Sequence, residues 1–179
     1  MKRYLQLLIL PLIGFGFMAC MKANKSEKVI AAAETTMQQQ ELSLNDTSLT
    51  KVVKTEAEWE KVLTEKQYYI LRKQGTERPF QNEFNDNHKI GHYFCAGCKL
   101  PLFDSETKFN SGTGWPSFYA PLNKNRVKEV VDNSLGMVRG EIVCARCDGH
   151  LGHLFDDGPK PTGLRYCMNS AAMLFKESK

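Results

Sequence analysis

The sequence lacks a strong charge imbalance, a long apolar segment and an internal repeat. A formal net charge of +4 over 179 residues is too small to indicate a nucleic-acid partner. The longest mostly apolar stretch, residues 5–17, is shorter than the roughly 20 residues that a membrane-spanning helix needs. No repeat exceeds a C-x-x-C pair, which excludes solenoid and propeller architectures. With 42% hydrophobic and 25% charged residues, the chain suits one globular domain.

Cysteine is sparse, but its spacing is informative. Four of the six cysteines form two C-x-x-C pairs, a pattern that predicts one tetrahedral zinc site on Cys95, Cys98, Cys144 and Cys147. Four thiolates leave no open position for water, so the expected site is structural. Two disulfides are the alternative, which an exported location would favour. Cys20 and Cys167 remain outside both pairs.

The N-terminus has the pattern of an export signal. Lys2 and Arg3 precede the apolar stretch, and Ala19 precedes Cys20. Residues 17–20 resemble the lipobox of bacterial lipoproteins, although Phe17 departs from the usual aliphatic residue, so Cys20 is the predicted lipidation site. The alternative is cleavage nearby, giving a soluble secreted protein. We therefore predict a signal peptide over 1–20, a flexible tether over 21–51 and a folded domain over 52–179.

Two short helices are expected at the start of the domain. Thr55 with Glu58 and Thr64 with Gln67 are capping boxes, and the second helix should end at Gly75. Trp59, Tyr68 and Tyr69 are expected in the core rather than in a binding site.

After residue 79 the sequence consists of short apolar runs separated by turn residues. This pattern predicts a mainly antiparallel β domain, with a hairpin formed by residues 127–132 and 137–143.

The remaining cysteine lies in a segment suited to thiol chemistry. Arg165 precedes Cys167 by two residues and Asn169 follows by two, so in a strand all three side chains share one face. A guanidinium there favours the nucleophilic thiolate. His150 and His153 can be presented together and donate protons near neutral pH. Each residue also has a structural alternative: a buried cysteine, metal-binding histidines, or an arginine paired with a neighbouring aspartate.

A third element is the turn SGTGWPSF, residues 111–118. Glycines flank Thr113 and a proline follows Trp115, so an indole held at the end of this turn can serve as a platform for a small apolar group. A core tryptophan that anchors the turn is the alternative.

Several motifs together resemble one known family. GHYFCAGC, KFNSGTGWPSF, EIVCARCDGHLGHLFDDGP and GLRYCMNSAA resemble, in order, the motifs of the B-type methionine sulfoxide reductases (MsrB), and GTERPF is similar to their lead-in. The resemblance spans about residues 55–175. It implies a mainly β fold of two antiparallel sheets with short N-terminal helices, one structural zinc, and thiol-dependent reduction of the R epimer of methionine sulfoxide.

The resemblance also implies roles for individual residues. Cys167 would attack the sulfoxide sulfur and become a sulfenic acid. His150, His153 and Asn169 would hydrogen-bond the sulfoxide oxygen and assist its protonation. Trp115 and Phe155 would contact the substrate. Arg165, with Asp156 or Asp157, would set the local charge and the orientation of the histidines.

One position departs from the family pattern. Many members carry a resolving cysteine in the middle of the SG-x-GWPSF turn, and this chain has Thr113 there. We therefore expect an external thiol, such as a thioredoxin-like protein, to reduce the sulfenic acid. A zinc-site cysteine or an unlipidated Cys20 is the alternative. The tether favours oxidised envelope proteins as substrates over free methionine sulfoxide.

Two other functions are compatible with parts of the sequence. A zinc-stabilised β domain on a lipid tether can act as a binding module, in which case Cys167 would be buried and unreactive. A general thiol oxidoreductase would instead use a C-x-x-C on a helix within a parallel βαβ unit, which the sequence does not indicate.

Overall fold

The computed structural model describes residues 42–133, 136 and 138–178. The predicted signal peptide, Cys20 and residues 21–41 of the predicted tether lie outside this described part. Among the described residues, no helix has both the length and the apolar character needed to cross a membrane.

Within the described residues, two α-helices precede nine β-strands. The helices are α1 (Glu56–Val62) and α2 (Glu65–Lys73). The strands are β1 (Gly91–Cys95), β2 (Pro101–Asp104), β3 (Lys108–Phe109), β4 (Ser117–Phe118), β5 (Val127–Asp132), β6 (Arg139–Cys144), β7 (His150–Phe155), β8 (Arg165–Met168) and β9 (Met173–Glu177).

The strands form two antiparallel sheets. One has three strands in the order β2-β1-β9, and the other has six in the order β3-β4-β8-β7-β6-β5. This arrangement confirms the expected mainly β fold of two sheets. The predicted hairpin is also present as the β5–β6 pair, in which Val127 pairs with Cys144 and Asp132 with Arg139.

An aromatic cluster joins the two sheets. Phe103 of the smaller sheet stacks on Phe118 of the larger one, with ring centroids 4.5 Å apart. Tyr93 meets Phe118 edge to face at 5.0 Å, and Tyr166 lies 5.8 Å from Phe103. Such contacts add about 0.5–1.5 kcal/mol per pair beyond the burial of apolar area. One face of the larger sheet therefore packs into the core, and its opposite face is available for a functional site.

Both predicted capping boxes are formed, and their helices follow the expected pattern closely. Thr55 accepts from the backbone N–H of Glu58, and Thr64 accepts from that of Gln67. Trp59 is buried as expected. The second helix ends slightly earlier than predicted, because Gln74 adopts the left-handed conformation with φ +53°.

The expectation for Tyr69 is wrong. Its side chain is 54% exposed, whereas Ile70 and Leu71 fill the core. The tyrosine ring lies over Gly75, where an added Cβ would fall 2.2 Å from it. Gly75 therefore provides room for this ring and does not itself end the helix.

The described part of the predicted tether, residues 42–51, contacts the domain. Asp46 forms a 2.6 Å ion pair with the buried Arg146. Lys51 pairs with Asp148 at 2.6 Å, and Lys176 donates to the backbone oxygen of Leu42. These contacts define a strap, residues 42–51, that touches the domain through a few side chains and backbone groups while most of its residues are exposed.

Candidate active site and metal centre

The two C-x-x-C motifs form matching turns at strand ends. Cys95 ends β1 and Cys144 ends β6. The residue after each second cysteine is left-handed, with φ +63° at Lys99 and +55° at Asp148, and each donates its N–H to the carbonyl of the first cysteine of its motif. Neither motif lies at a helix N-terminus, so the described domain lacks the arrangement that a general thiol oxidoreductase requires.

The four sulfurs of these turns converge on one point. All four lie within 4.8 Å of one another, with Cys95 and Cys147 at 3.6 Å and Cys98 and Cys144 at 3.5 Å. A disulfide bond would be about 2.05 Å long, whereas sulfurs around a tetrahedral zinc lie about 3.8 Å apart. The spacing therefore fits a metal site and not two disulfides.

The electrostatics of this cluster also favour a bound cation. Contact with the neighbouring thiols, followed by burial, raises the pKa of Cys95 and of Cys144 above that of an ordinary thiol. Four thiolates this close need a cation to remain ionised together.

The metal cluster joins the two sheets, because one turn extends from each. Trp59 and Leu71 of the helices pack over the turn glycines, and Arg72 donates to the carbonyl of Cys147 at 3.2 Å. Arg146, within the second motif, donates to the carbonyl of Cys98 in the first. The cluster thus connects the smaller sheet, the larger sheet and the helices.

Cys167 lies on the outer face of the larger sheet. Along β8, Tyr166 and Met168 point into the core, while Cys167 points the opposite way and is only partly buried. It pairs directly with His153 on β7 and with Ser117 on β4. Directly opposed residues of antiparallel strands have Cβ atoms about 4.5–5.5 Å apart. The sheet register therefore places the thiol beside a histidine.

An irregularity in β7 brings both histidines to this face. Residues three apart in a regular strand point to opposite sides, but the β6–β7 register shifts between Ile142 and Val143. As a result the rings of His150 and His153 lie 5.3 Å apart. Between them, Gly152 permits close approach of β8, since an added Cβ would lie 2.1 Å from the Cys167 carbonyl oxygen.

Each histidine contacts a carboxylate from the β5–β6 hairpin. Nδ1 of His150 lies 2.7 Å from Oε1 of Glu141, and Nε2 of His153 lies 2.9 Å from Oδ2 of Asp132. Arg139 pairs with the same oxygen of Asp132 at 2.7 Å. The sequence analysis did not identify either carboxylate as a site residue. Both lie on the same face of the predicted hairpin, which the alternation of side chains along its strands could have indicated.

The expectation that a carboxylate after Phe155 orients the histidines is not met. Asp157 instead binds Arg165, with distances of 2.7 and 2.9 Å to its guanidinium. That guanidinium lies over the Phe155 ring at 4.2 Å. Arg165 and Phe155 thus form one stacked unit, and Asp156 is exposed.

Asn169 lies just beyond β8 and is 3% exposed. Its Oδ1 accepts from the backbone N–H of Glu77 at 3.0 Å. Its Nδ2 faces the Leu151 carbonyl at 3.3 Å and Nε2 of His150 at 3.5 Å. The side chain therefore joins His150 to the Glu77 backbone.

The 111–118 turn lies against the thiol. Oγ1 of Thr113 is 3.9 Å from Sγ of Cys167, and the Ser111 hydroxyl lies 2.8 Å from the hydroxyls of both Thr113 and Ser117. Trp115 is partly exposed and donates from Nε1 to the Glu77 carbonyl at 3.0 Å. The same Glu77 backbone thus positions both the tryptophan and Asn169.

Burial raises the pKa of the Cys167 thiol above its ordinary value. The Arg165 charge and hydrogen bonds from Thr113 and Ser117 offset only part of this effect. The guanidinium lowers the pKa of the thiol, as expected, but burial raises that pKa by more. Burial therefore disfavours the thiolate form of Cys167 in the resting site.

Comparison with known proteins places the chain in a family. The family model of the SelR domain matches residues 63–177. The chain belongs to the MsrB family. A protein of Thiobacillus denitrificans named peptide methionine sulfoxide reductase MsrB is 58% identical over 122 residues, covering 68% of this chain and 92% of its own length.

Other MsrB proteins show similar agreement. A Pseudomonas putida relative of the same name is 55% identical over 126 residues, which cover 70% of this chain and 95% of that protein. One from Bradyrhizobium diazoefficiens is 54% identical over 123 residues, with 69% and 88% covered. The MsrB match includes the metal turns, both histidines, the tryptophan turn and Cys167.

Proposed function

We propose that this protein reduces the R epimer of methionine sulfoxide, chiefly within proteins, using Cys167 as the nucleophile. The observation that supports this most strongly is the position of Cys167 directly opposite His153, with the Trp115 turn at its side. A nucleophile and a proton donor share one wall beside an apolar ring, as sulfoxide reduction requires. The names of the relatives support methionine sulfoxide as substrate, and the family resemblance supports the R epimer.

In the proposed step the thiol proton passes to His153, and the thiolate attacks the sulfoxide sulfur. His153 then protonates the sulfoxide oxygen, the sulfur–oxygen bond of the substrate breaks, and the oxygen ends as a hydroxyl on Cys167. Methionine leaves as a thioether, reduced by two electrons, while the cysteine is oxidised by two electrons to a sulfenic acid. The number of protons is unchanged, so His153 returns to its starting state.

A thiol from outside this chain then reduces the sulfenic acid. The first external thiol forms a mixed disulfide and releases water, and a second thiol displaces Cys167 as a thiol. Thr113 supports this route, because the side chain that this position places 3.9 Å from the Cys167 sulfur ends in a hydroxyl and not in a thiol. The other four described cysteines belong to the metal cluster. A thioredoxin-like protein or a small thiol is the proposed reductant.

We further propose that the metal is one zinc ion with a structural role. Zinc suits four thiolates at the observed spacing, and when bound it would offset half of their negative charge and hold the two sheets together. The proposed location is the outside of the cytoplasmic membrane, with Cys20 carrying the lipid anchor. The basic, apolar and small residues of positions 1–20 support this proposal.

The decisive assay uses each epimer of a methionine sulfoxide peptide with dithiothreitol, beside a Cys167→Ser variant. We expect turnover of the R epimer alone and none in the variant. Turnover of the S epimer, or full activity of the Cys167→Ser variant, would contradict the proposal. Zinc content measured on both proteins serves as the folding control, with one ion per chain expected in each.

A further inference from the structure

The two histidines of the site contact their carboxylates through different ring nitrogens. Glu141 faces Nδ1 of His150, whereas Asp132 faces Nε2 of His153. An ionised carboxylate only accepts hydrogen bonds, so the nitrogen that faces it must carry a proton. These contacts therefore assign a different protonated nitrogen to each ring.

At His150 both nitrogens are occupied by protein groups. Nδ1 donates to Glu141, and Nε2 faces the amide nitrogen of Asn169, which is a donor because Oδ1 of that amide accepts from Glu77. A donor opposite Nε2 requires that this nitrogen be an acceptor. His150 is also only 3% exposed, and burial lowers its pKa. His150 is consequently a neutral ring with no proton to give to a substrate.

At His153 the arrangement is the opposite. Nε2 is bound to Asp132, so a neutral ring would have an unprotonated Nδ1 and could donate nothing further. Donation from Nδ1 therefore requires that this nitrogen first take up a proton, and the Cys167 thiol on the opposed strand supplies it in the proposed step. His153 is also the histidine directly opposite Cys167, and it is more exposed than His150.

We propose that Asp132 and Glu141 are positioning residues that divide the work of the two histidines. Glu141 holds His150 as a neutral structural ring, and Asp132 makes His153 the ring that carries the proton for the sulfoxide oxygen. The inference rests on the proposed function, because it specifies which group of that same site donates the proton. Arg139 holds Asp132 in place, and Gln74 contacts both oxygens of Glu141 at 3.3 Å.

Charged and titratable groups surround His153 on every strand packed against it. On β5 and β6 they include Arg139, which pairs with Asp132, and Glu141, which pairs with His153 in the sheet register. His150 lies on β7 itself, and Cys167 and Arg165 lie on β8. Asp132 is the carboxylate in direct contact with the ring, so its removal should have the largest effect.

The first test reads the histidines directly in the resting full-length protein. Long-range ¹H–¹⁵N NMR spectra distinguish Nδ1-protonated, Nε2-protonated and doubly protonated rings. We expect a His150 protonated on Nδ1 and a His153 protonated on Nε2. In Asp132→Asn the amide can either accept from the ring or donate to it, so His153 should show a mixture of Nδ1-protonated and Nε2-protonated forms. An Nε2-protonated His150, or a His153 that stays purely Nε2-protonated in Asp132→Asn, would overturn the proposal.

The second test is kinetic. Asp132→Asn should lower kcat/KM for the R-sulfoxide peptide by at least about tenfold, because an amide no longer fixes Nε2 as the protonated nitrogen of His153. Asp132→Glu should recover part of the loss and restore the Nε2-protonated form in the NMR spectrum. A loss of kcat/KM in Asp132→Asn without a change in the protonated nitrogen of His153 would indicate a merely structural role and refute the proposal.

A matched control comes from another Asp–His pair. Asp104 lies 2.9 Å from His92 on the smaller sheet, with similar exposure. Asp104→Asn should leave kcat/KM and the His153 spectrum unchanged, and a similar loss there would refute a specific role for Asp132. If the wild-type protein turns over neither epimer, the proposed function fails, while the NMR spectra still decide which nitrogen of each ring is protonated.

Discussion

A cysteine introduced at position 113 should convert the protein into an enzyme that resolves its own sulfenic acid. In the structure Oγ1 of Thr113 lies 3.9 Å from Sγ of Cys167. A disulfide needs about 2.05 Å between sulfurs, so the two side chains must approach by roughly 2 Å. The flanking Gly112 and Gly114 have φ of +71° and +87°, and an added Cβ at Gly112 would meet nothing within 4 Å. This open turn can accommodate such a shift.

The size of the stabilisation follows from the loop that the bond would close. Positions 113 and 167 are 54 residues apart. For a loop of that length the chain-entropy estimate is about 4 kcal/mol of added stability in the oxidised form. Strain in the turn would reduce this value. Oxidised Thr113→Cys should therefore melt above its reduced form, whereas the wild-type protein should show no such difference.

The assay treats Thr113→Cys with one equivalent of the R-sulfoxide peptide in the absence of reductant. Peptide mapping should identify a 113–167 disulfide, and intact mass should show a loss of 2 Da instead of a gain of 16 Da. Thr50→Cys, an exposed thiol on the strap, is the control and should form no such bond.

Oxidation with diamide tests whether the cysteines at positions 113 and 167 can form a disulfide when no sulfoxide is reduced. A disulfide with diamide but not with the sulfoxide would refute sulfenic acid formation at Cys167. No 113–167 disulfide with either oxidant would refute the reasoning from the 3.9 Å approach.

Three further predictions concern the metal, the thiol and the strap. Cys144→Ser should lose the metal, measured by mass spectrometry of metal content, and lower the free energy of unfolding by more than about 4 kcal/mol; full retention of metal would contradict the four-thiolate site. Arg165→Gln should raise the pKa of the Cys167 thiol further and slow its alkylation by iodoacetamide several-fold at pH 8, because the guanidinium charge lowers that pKa; an unchanged rate would contradict this. Asp46→Asn should cost about 1–3 kcal/mol in urea unfolding, since it leaves a buried guanidinium without its carboxylate. Asp148→Asn, at an exposed ion pair, should cost under about 1 kcal/mol, and equal losses would refute the importance of burial.

Features that depend on residues close in sequence were predicted well. The capping boxes at Thr55 and Thr64 each lie within four residues, and both helices begin where these boxes place them. The two C-x-x-C turns are equally local, since each reverses the chain within six residues. Motif order was sufficient to indicate the MsrB family, and the family match confirms it.

Features that depend on strand order and register could not be predicted from neighbouring residues in the sequence. The spacing of His150 and His153 would separate them in a regular strand, and only the irregularity opposite Ile142 brings them together. Asp157 is near these histidines in sequence but binds Arg165, whereas Asp132 and Glu141 approach from another hairpin. Tyr69 has an aromatic side chain of the kind often found in a core, but the packing of α2 leaves it exposed.

The sequence by itself determined the helix starts, the two metal-binding turns and the β character of the domain, because each depends on residues a few positions apart. The tertiary structure decided which carboxylate serves which histidine, which histidine faces Cys167, and that residues 42–51 bind the domain. The physical reason is that hydrogen-bond partners across a sheet are set by the pairing of distant strands. A single shift of register changes those partners without altering any local pattern.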